Sequence, residues 1–333
     1  MKAAVLTQAD APLSLEERAD LEPSGDSVVV QLQAAALNRR DFWIMQGMYP
    51  GIEFPTILGS DGCGVVSKAG SPAGEKWLNQ EVIINPGWNW GNNPRAQSSA
   101  FKILGMPIDG TFATEIVVPV EYLHKKPSHL SMVEAAALPL AGLTAYRALF
   151  TQGKLQSGEK VLVSGIGGGV ATFALQFAVA AGAEVIVTSS SQEKIDAALG
   201  YGAKFGYDYN ATDWVGEANN QFGPVDLIID SAGGSGYGAL LDLAAPGGRI
   251  VNYGSTAGPP PKLDLFKVFW KQLHLIGSTM GTPDDFAAML DLVDQHQIKP
   301  VVDETLPLSA INDAIEKMRH STQFGKITIG CQG

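Results

Sequence analysis

The chain has 333 residues, 45% of them hydrophobic and 17% charged, with a formal charge of −11. That length exceeds one ordinary core and predicts two domains, and the composition excludes a disordered chain. The acidic balance argues against nucleic acid as a partner, because a phosphate backbone calls for a basic surface, and leaves a small-molecule substrate as the expectation.

Two cysteines, Cys63 and Cys331, allow at most one bridge. Together with an N-terminus that lacks a long apolar stretch, MKAAVLTQADAPLSLEE, this predicts a cytoplasmic protein. The most apolar run, VEAAALPLAGLTAYRALF, is interrupted by Pro139, Gly142 and Arg147, so no membrane association is expected.

The first third reads as strands. VVVQLQAAAL (28–37), GCGVVSKAG (62–70), EVIINPG (81–87) and TFATEIVVPV within 111–126 are β-rich and bounded by turn residues. The middle third alternates strands with helices. KVLVSGI (160–166), EVIVTSSS (184–191), VDLIIDSAGG (225–234), GGRIVNYGS (247–255) and HLIGSTMG (274–281) are apolar strands. ATFALQFAVAAG (171–182) and SQEKIDAALGYG (191–202) have helical spacing, the latter with Ser191 as N-cap. Such alternation predicts a parallel, doubly wound sheet, so the fold class is α/β. A helix over 283–298 leads to a tail ending in GKITIG (325–330), expected to return to the first domain.

VSGIGGGVATFALQ (163–176) follows a strand and opens a helix, the context of a dinucleotide-binding turn. Its spacing is G-x-x-G-x-x-A, from Gly165 through Gly168 to Ala171, rather than the strict G-x-G-x-x-G. Glycines allow close approach of a pyrophosphate, and the helix N-terminus offers N–H groups. The second strand ends in Thr188, Ser189, Ser190 and Ser191, with Lys194 beyond and no acid at its C-terminal end. An NAD-selective site wants an acid there for the ribose hydroxyl, whereas hydroxyls and an ammonium suit the 2′-phosphate of NADP. The serines also serve as helix caps.

The five histidines form no i, i+4 pair and no cluster with cysteine, and there is no Gly-x-Ser-x-Gly elbow, so neither a metal-ligand motif nor a hydrolase motif is present. Cys63, in an apolar Gly-rich strand, reads as a small buried hydrophobe. Trp88 and Trp90 in NPGWNWGNNPRAQ (85–97) stand in a turn-rich loop, as packing residues or as the rim of a substrate entrance.

The order of elements resembles the medium-chain dehydrogenase/reductase superfamily over nearly the whole chain. That resemblance implies a GroES-like β-rich catalytic domain, 1–123 with 298–333, and a Rossmann cofactor domain, 124–297. Zinc alcohol dehydrogenases of the superfamily carry a Cys where Asn38 stands, a His-Glu pair at Ser60-Asp61, and a third Cys near Leu140. Asn and Ser are poor zinc ligands and Leu is none, so no metal is expected. The loop of Trp88 and Trp90 resembles the structural-zinc lobe without its cysteines.

Asn38 with Asp41, Gly47-x-Tyr49-Pro50, Gly59-Ser60-Asp61 and the Gly168-Gly169-Val170 turn resemble the zinc-free quinone oxidoreductase-like branch. So does Asp230-Ser231 ahead of Gly233-Gly234. The resemblance implies NADPH-dependent hydride transfer to a quinone or an activated alkene, with Asn38, Asp41, Tyr49 and Ser60 at the reacting centre. It implies cofactor contacts from Thr144, Gly165, Gly168, Gly169, Val170, Ser231, Gly254 and Ser278; Ser189, Ser190, Lys194, Tyr209 and Arg39 are further expected contacts. It also implies a homodimer formed through the edge strand near 274–281. Arg39-Arg40 departs from the branch. Arg39 is a candidate pyrophosphate contact and Arg40 falls at a proton-relay hydroxyl; both arginines also fit surface ion pairs. Alternatives are a zinc-type alcohol dehydrogenase with unusual ligands and a non-catalytic NADPH-binding protein.

Overall fold

The computed structural model describes residues 1–332 and divides into two compact units, 1–141 with 282–333 and 142–281. The expected boundaries at 123/124 and 297/298 therefore move. Strand Leu123–Lys125 pairs with Glu81–Ile84 in the first unit's sheet, and helix Met132–Ala137 packs on strands Ser27–Ala36 and Asp61–Ala69. Helix Pro283–His296 brings Phe286 to 4.8 Å from the His124 ring. Burial of these apolar faces assigns both segments to the first unit.

The first unit is built on a seven-stranded sheet centred on Ser27–Ala36, which pairs antiparallel with Asp61–Ala69, Glu115–Pro119 and Lys326–Gly330. The last of these pairings is the return of the tail, and it carries the sheet on to a further strand, Val302–Pro307. Side chains from both halves of the unit, including Val30, Leu32, Ile84, Phe112, Ile315 and Ile329, share one buried core. Each removes apolar surface from water at about 25 cal/mol per Å². Gly59 shows why Ser60 and Asp61 are held where they are: at φ +95° a Cβ would lie 2.6 Å from Thr111 Oγ1 and from the Phe112 ring. Only glycine allows the chain to pass so close to 111–112.

The second unit holds six parallel strands, in spatial order Phe205–Asp208, Glu184–Ser189, Lys160–Val163, Val225–Asp230, Ala244–Asn252 and His274–Gly277. Val161, Leu162 and Val163 are fully buried, as the continuous apolar run requires of a strand covered on both faces. The strand order reverses direction beside Lys160–Val163, the place where doubly wound sheets take their ligands. Among the described residues, no helix is long and apolar enough to cross a membrane.

Candidate active site

In the first unit, helix Arg39–Met45 starts at Asn38. The Asp41 carboxylate accepts from Asn38 N–H at 2.8 Å and from Gly59 N–H at 3.3 Å, tying the helix start to the Gly59-Ser60-Asp61 turn. Asp41 is fully buried, and that burial pushes its pKa up to about 6 against the pull of Arg40 and Lys326. Asp61, also fully buried, accepts from Leu140 N–H at 2.8 Å on one oxygen. Its other oxygen accepts from Asn38 Nδ2 and from Lys326 Nζ, both at 2.9 Å. Sequence reasoning missed Lys326. Its one local signal is a lysine opening the apolar strand KITIG, a charge that needs a buried partner.

The surface ion-pair alternative for the two arginines does not hold: among the described residues, neither forms a salt bridge with an acid, and each donates instead to backbone carbonyl and serine hydroxyl oxygens. Arg40 is buried; it donates through Nη1 to Ser60 Oγ (2.8 Å) and Leu104 O (2.7 Å), and through Nη2 to Met106 O (3.1 Å). The Ser60 hydroxyl donates in turn to Leu104 O. Both side chains thus clamp the 104–106 segment, and the Arg40 guanidinium lies 5.4 Å from the Tyr49 ring centroid. Arg39 donates to Met318 O at 2.8 Å and to Ser321 Oγ at 2.5 Å. It thereby meets the carbonyl end of helix Ile311–His320, where a cation is favoured.

Trp90 is 3% exposed, packs edge-on against Phe101, and donates from Nε1 to Asn93 O. Trp88 stacks on Tyr122 at 4.9 Å and donates to Asn85 O. Packing therefore accounts for both indoles. Cys63 is fully buried against Met132, and burial pushes its thiol up to about 12, as for a small hydrophobe.

In the second unit, the turn after Lys160–Val163 runs through Gly165 (φ +64°) and Gly167 (φ +125°) into helix Gly169–Ala180. Gly168 is the N-cap, no side chain caps this helix, and a Cβ at Gly165 or Gly168 would meet nothing within 4 Å. A Cβ at Gly167 would lie 2.7 Å from the Lys194 side chain, so Lys194 folds over the turn. Ser189 lies in the same strand end as Thr188, whose hydroxyl accepts from Gly165 N–H at 3.2 Å. Exposed Tyr209 follows the neighbouring strand, its N–H donating to Ser189 O.

At the adjacent strand ends, Asp230 accepts from the Ser164 hydroxyl, from Gly233 N–H at 3.0 Å and from Asn252 Nδ2 at 2.9 Å. Sequence reasoning placed Asp230 but not its partners Ser164 and Asn252. Ser231 and Gly254 adjoin, a Cβ at Gly254 falling 3.1 Å from Ser231 O. Among the described residues, Ser278 Oγ is buried with no hydrogen-bond partner. An open glycine cradle, an uncapped helix start and an orphaned hydroxyl fit a dinucleotide with a polar headgroup. Thr144, on helix Pro139–Tyr146, is buried.

Residues 24–128 match the model of the alcohol dehydrogenase GroES-like domain, and 169–295 match that of the zinc-binding dehydrogenase. The chain is 36% identical to the zinc-type alcohol dehydrogenase-like protein YogA of Leptosphaeria maculans, over 96% of this chain and 94% of that one. It belongs to the medium-chain dehydrogenase/reductase superfamily. It is also 30% identical, over 99% of both chains, to an acryloyl-coenzyme A reductase of Sulfurisphaera tokodaii. A crystal structure of an NAD-dependent alcohol dehydrogenase superposes with a TM-score of 0.94 at 33% identity, covering 99% of each chain.

Some members of the superfamily carry zinc, at ligand positions that by resemblance fall at Asn38, at Ser60-Asp61 and near Leu140. Among the described residues, no group of three or more His, Cys, Asp or Glu side chains is arranged to hold a metal. Beside these positions the carboxylate of Asp61 is paired with the Lys326 ammonium at 2.9 Å.

Proposed function

We propose that the protein is an NADPH-dependent oxidoreductase that delivers hydride to a quinone or an activated alkene without zinc. The observation that carries this reading is the Asp61–Lys326 ion pair, 0% and 3% exposed, beside the amide of Asn38. A buried carboxylate neutralised by a fixed ammonium has no charge left for a divalent ion. Without a Lewis acid the acceptor must be electrophilic before it binds, as quinones and enones are. The acryloyl-coenzyme A reductase among the relatives acts, by its name, on an activated alkene, which supports the second class.

Bound NADPH would supply the hydride. The chain's own part is to hold the pyrophosphate on the 165–170 turn, to place the Lys194 ammonium near a 2′-phosphate, and to offer Ser278 Oγ to a polar headgroup. Asn38 Nδ2 would bond the acceptor oxygen, and Tyr49, held under Arg40, would form a wall of the acceptor pocket. Asp41 and Ser60 act through the backbone they tie down.

The test is oxidation of NADPH and NADH in the presence of a quinone, an enone and an aldehyde, with metal analysis of the same protein. Quinone or enone turnover with NADPH preference and no bound zinc is the expected result. Stoichiometric zinc with aldehyde turnover alone would overturn it. Tight NADPH binding without turnover of any acceptor would favour a non-catalytic protein.

The second unit ends in an edge strand, His274–Gly277. The helix just before it exposes Leu265, Phe266, Phe269 and Trp270, each more than 60% accessible. An unpaired edge beside an aromatic patch supports a homodimer. Replacing Phe266 and Trp270 by Ser is expected to convert a dimer to a monomer in sedimentation.

A further inference from the structure

Lys326 lies at the start of the last strand, far along the chain from the residues it meets. Its ammonium is 3% exposed and has three protons to donate. They go to Leu37 O at 2.6 Å, Asn38 Oδ1 at 2.7 Å and Asp61 Oδ2 at 2.9 Å. Asp61 Oδ2 also accepts from Asn38 Nδ2 at 2.9 Å. The amide of Asn38 therefore sits between a cation on its oxygen and an anion on its nitrogen. Flipped, it would turn its NH₂ group toward the ammonium and its oxygen toward the carboxylate, and lose both bonds to like-sign contacts. The two charges fix the orientation.

An amide nitrogen carries two protons. One is held by Asp61, and the other has no partner among the described residues, while Asn38 keeps 7% exposure. We infer that Lys326, with Asp61, is a positioning residue that locks the Asn38 amide with one N–H free to donate to the acceptor oxygen. The cation on Oδ1 also polarises the amide and strengthens that donor, as in other charge-anchored hydrogen-bond chains. Negative charge developing on the acceptor oxygen during hydride transfer is where such a prearranged donor acts. The inference rests on the proposed hydride transfer to an acceptor that Asn38 contacts.

A double-mutant cycle tests it, with NADPH and cyclohexenone or benzoquinone as probes. The arms are wild type, Asn38→Ala, the charge-free pair Lys326→Met with Asp61→Asn, and all three substitutions together. Asn38→Ala is expected to lower kcat roughly 10- to 100-fold with NADPH affinity unchanged. The charge-free pair should lower kcat by a similar factor, and adding it to Asn38→Ala should cost little more. Multiplying losses would mean that the pair acts through the fold at large, and would overturn the positioning role. If Asn38→Ala leaves turnover intact, the placement of Asn38 at the acceptor falls, and the inference with it. A wild type inactive on both probes defeats the parent reading. Should the charge-free pair fail to fold, Lys326→Arg takes its place in the cycle, since a planar fork cannot meet the same three acceptors. Its loss must likewise vanish in the Asn38→Ala background.

Discussion

The two polar centres of this chain are finished to different degrees. Around Asn38, the carboxylate of Asp61 and the ammonium of Lys326 find their partners inside the protein. Around Gly165–Gly168 the chain leaves space and an uncapped helix start, and three strands along the same sheet the Ser278 hydroxyl is buried without a partner among the described residues. Paired buried charges fix geometry and resist change, because deleting one partner strands the other. An open cradle adds little to folding and is completed by what binds there. Breaking one charge of the first centre should therefore register in stability as well as in turnover, and substitutions in the second chiefly in affinity.

The largest effect is expected from breaking the ion pair one side at a time. Lys326→Met leaves Asp61 charged and buried, and should cost about 3–5 kcal/mol in denaturant unfolding. Removing both charges, with Lys326→Met and Asp61→Asn together, should recover much of that. Equal losses for the single and paired variants would show that packing, not charge, holds this region.

Asp41 supplies the next effect, with a defined pH window. Its pKa rises from an ordinary 3.8 to about 6 through burial. The folded chain thus keeps this proton to higher pH than the unfolded chain does. Stability from this group falls as pH rises through that window, and the loss is complete above it. Asp41→Asn retains an acceptor for Asn38 N–H and does not titrate. Its stability relative to wild type should improve by on the order of 2 kcal/mol between about pH 4 and pH 7. Parallel urea profiles at the two pH values would show that Asp41 is solvated in the folded chain.

The same contrast explains what was legible in the sequence. The glycine turn is local: strand, turn and helix lie within residues 160–180, and periodicity with glycine spacing reveals them. The polar centre is assembled from 38–41, 59–61, 140 and 326, and nothing in a one-dimensional pattern pairs Asp61 with Lys326 across 265 positions. Missing cysteines and a missing histidine pointed to a changed site, but not to Lys326 as a partner of Asp61. Arg40's role was left open for the same reason: its acceptors are the Ser60 hydroxyl and backbone carbonyls at 104 and 106, and every sequence has carbonyls. The domain edges shifted because segments 124–141 and 282–297 are fixed by packing on the first unit rather than by any turn signal.

In the open centre, Gly168→Val is the next prediction. Gly168 has extended backbone, which any residue adopts, and open space at its Cβ. The variant should lose no more than about 1 kcal/mol of stability as a poorer cap. It should bind NADPH roughly 10- to 100-fold more weakly, since its side chain fills the cradle. Fluorescence titration reads the affinity, and unchanged binding would mean that the pyrophosphate lies elsewhere.

Cofactor choice is the smallest effect and the finest test. Lys194 lies over Gly167, and Ser191 Oγ accepts from its backbone N–H, so the side chain leaves the first turn of its helix toward the glycine turn. No acid ends the second strand, but Asp208 stands in register with Ser189 on the next one. Two opposed charges thus flank the ribose end of the expected site. The Asp208 carboxylate is occupied in part by Asn210 N–H, which it accepts at 2.9 Å. A 2′-phosphate should therefore be met chiefly by the ammonium. Lys194→Ala should weaken NADPH by about 10-fold, the scale of one charge-assisted hydrogen bond, and leave NADH unchanged. The wild-type preference should shrink with added salt, and the variant's should not. Equal losses for both cofactors would mean that Lys194 meets the shared pyrophosphate instead. A gain in NADPH affinity from Asp208→Asn larger than the loss from Lys194→Ala would make the acid the stronger determinant and shift the assignment toward NAD.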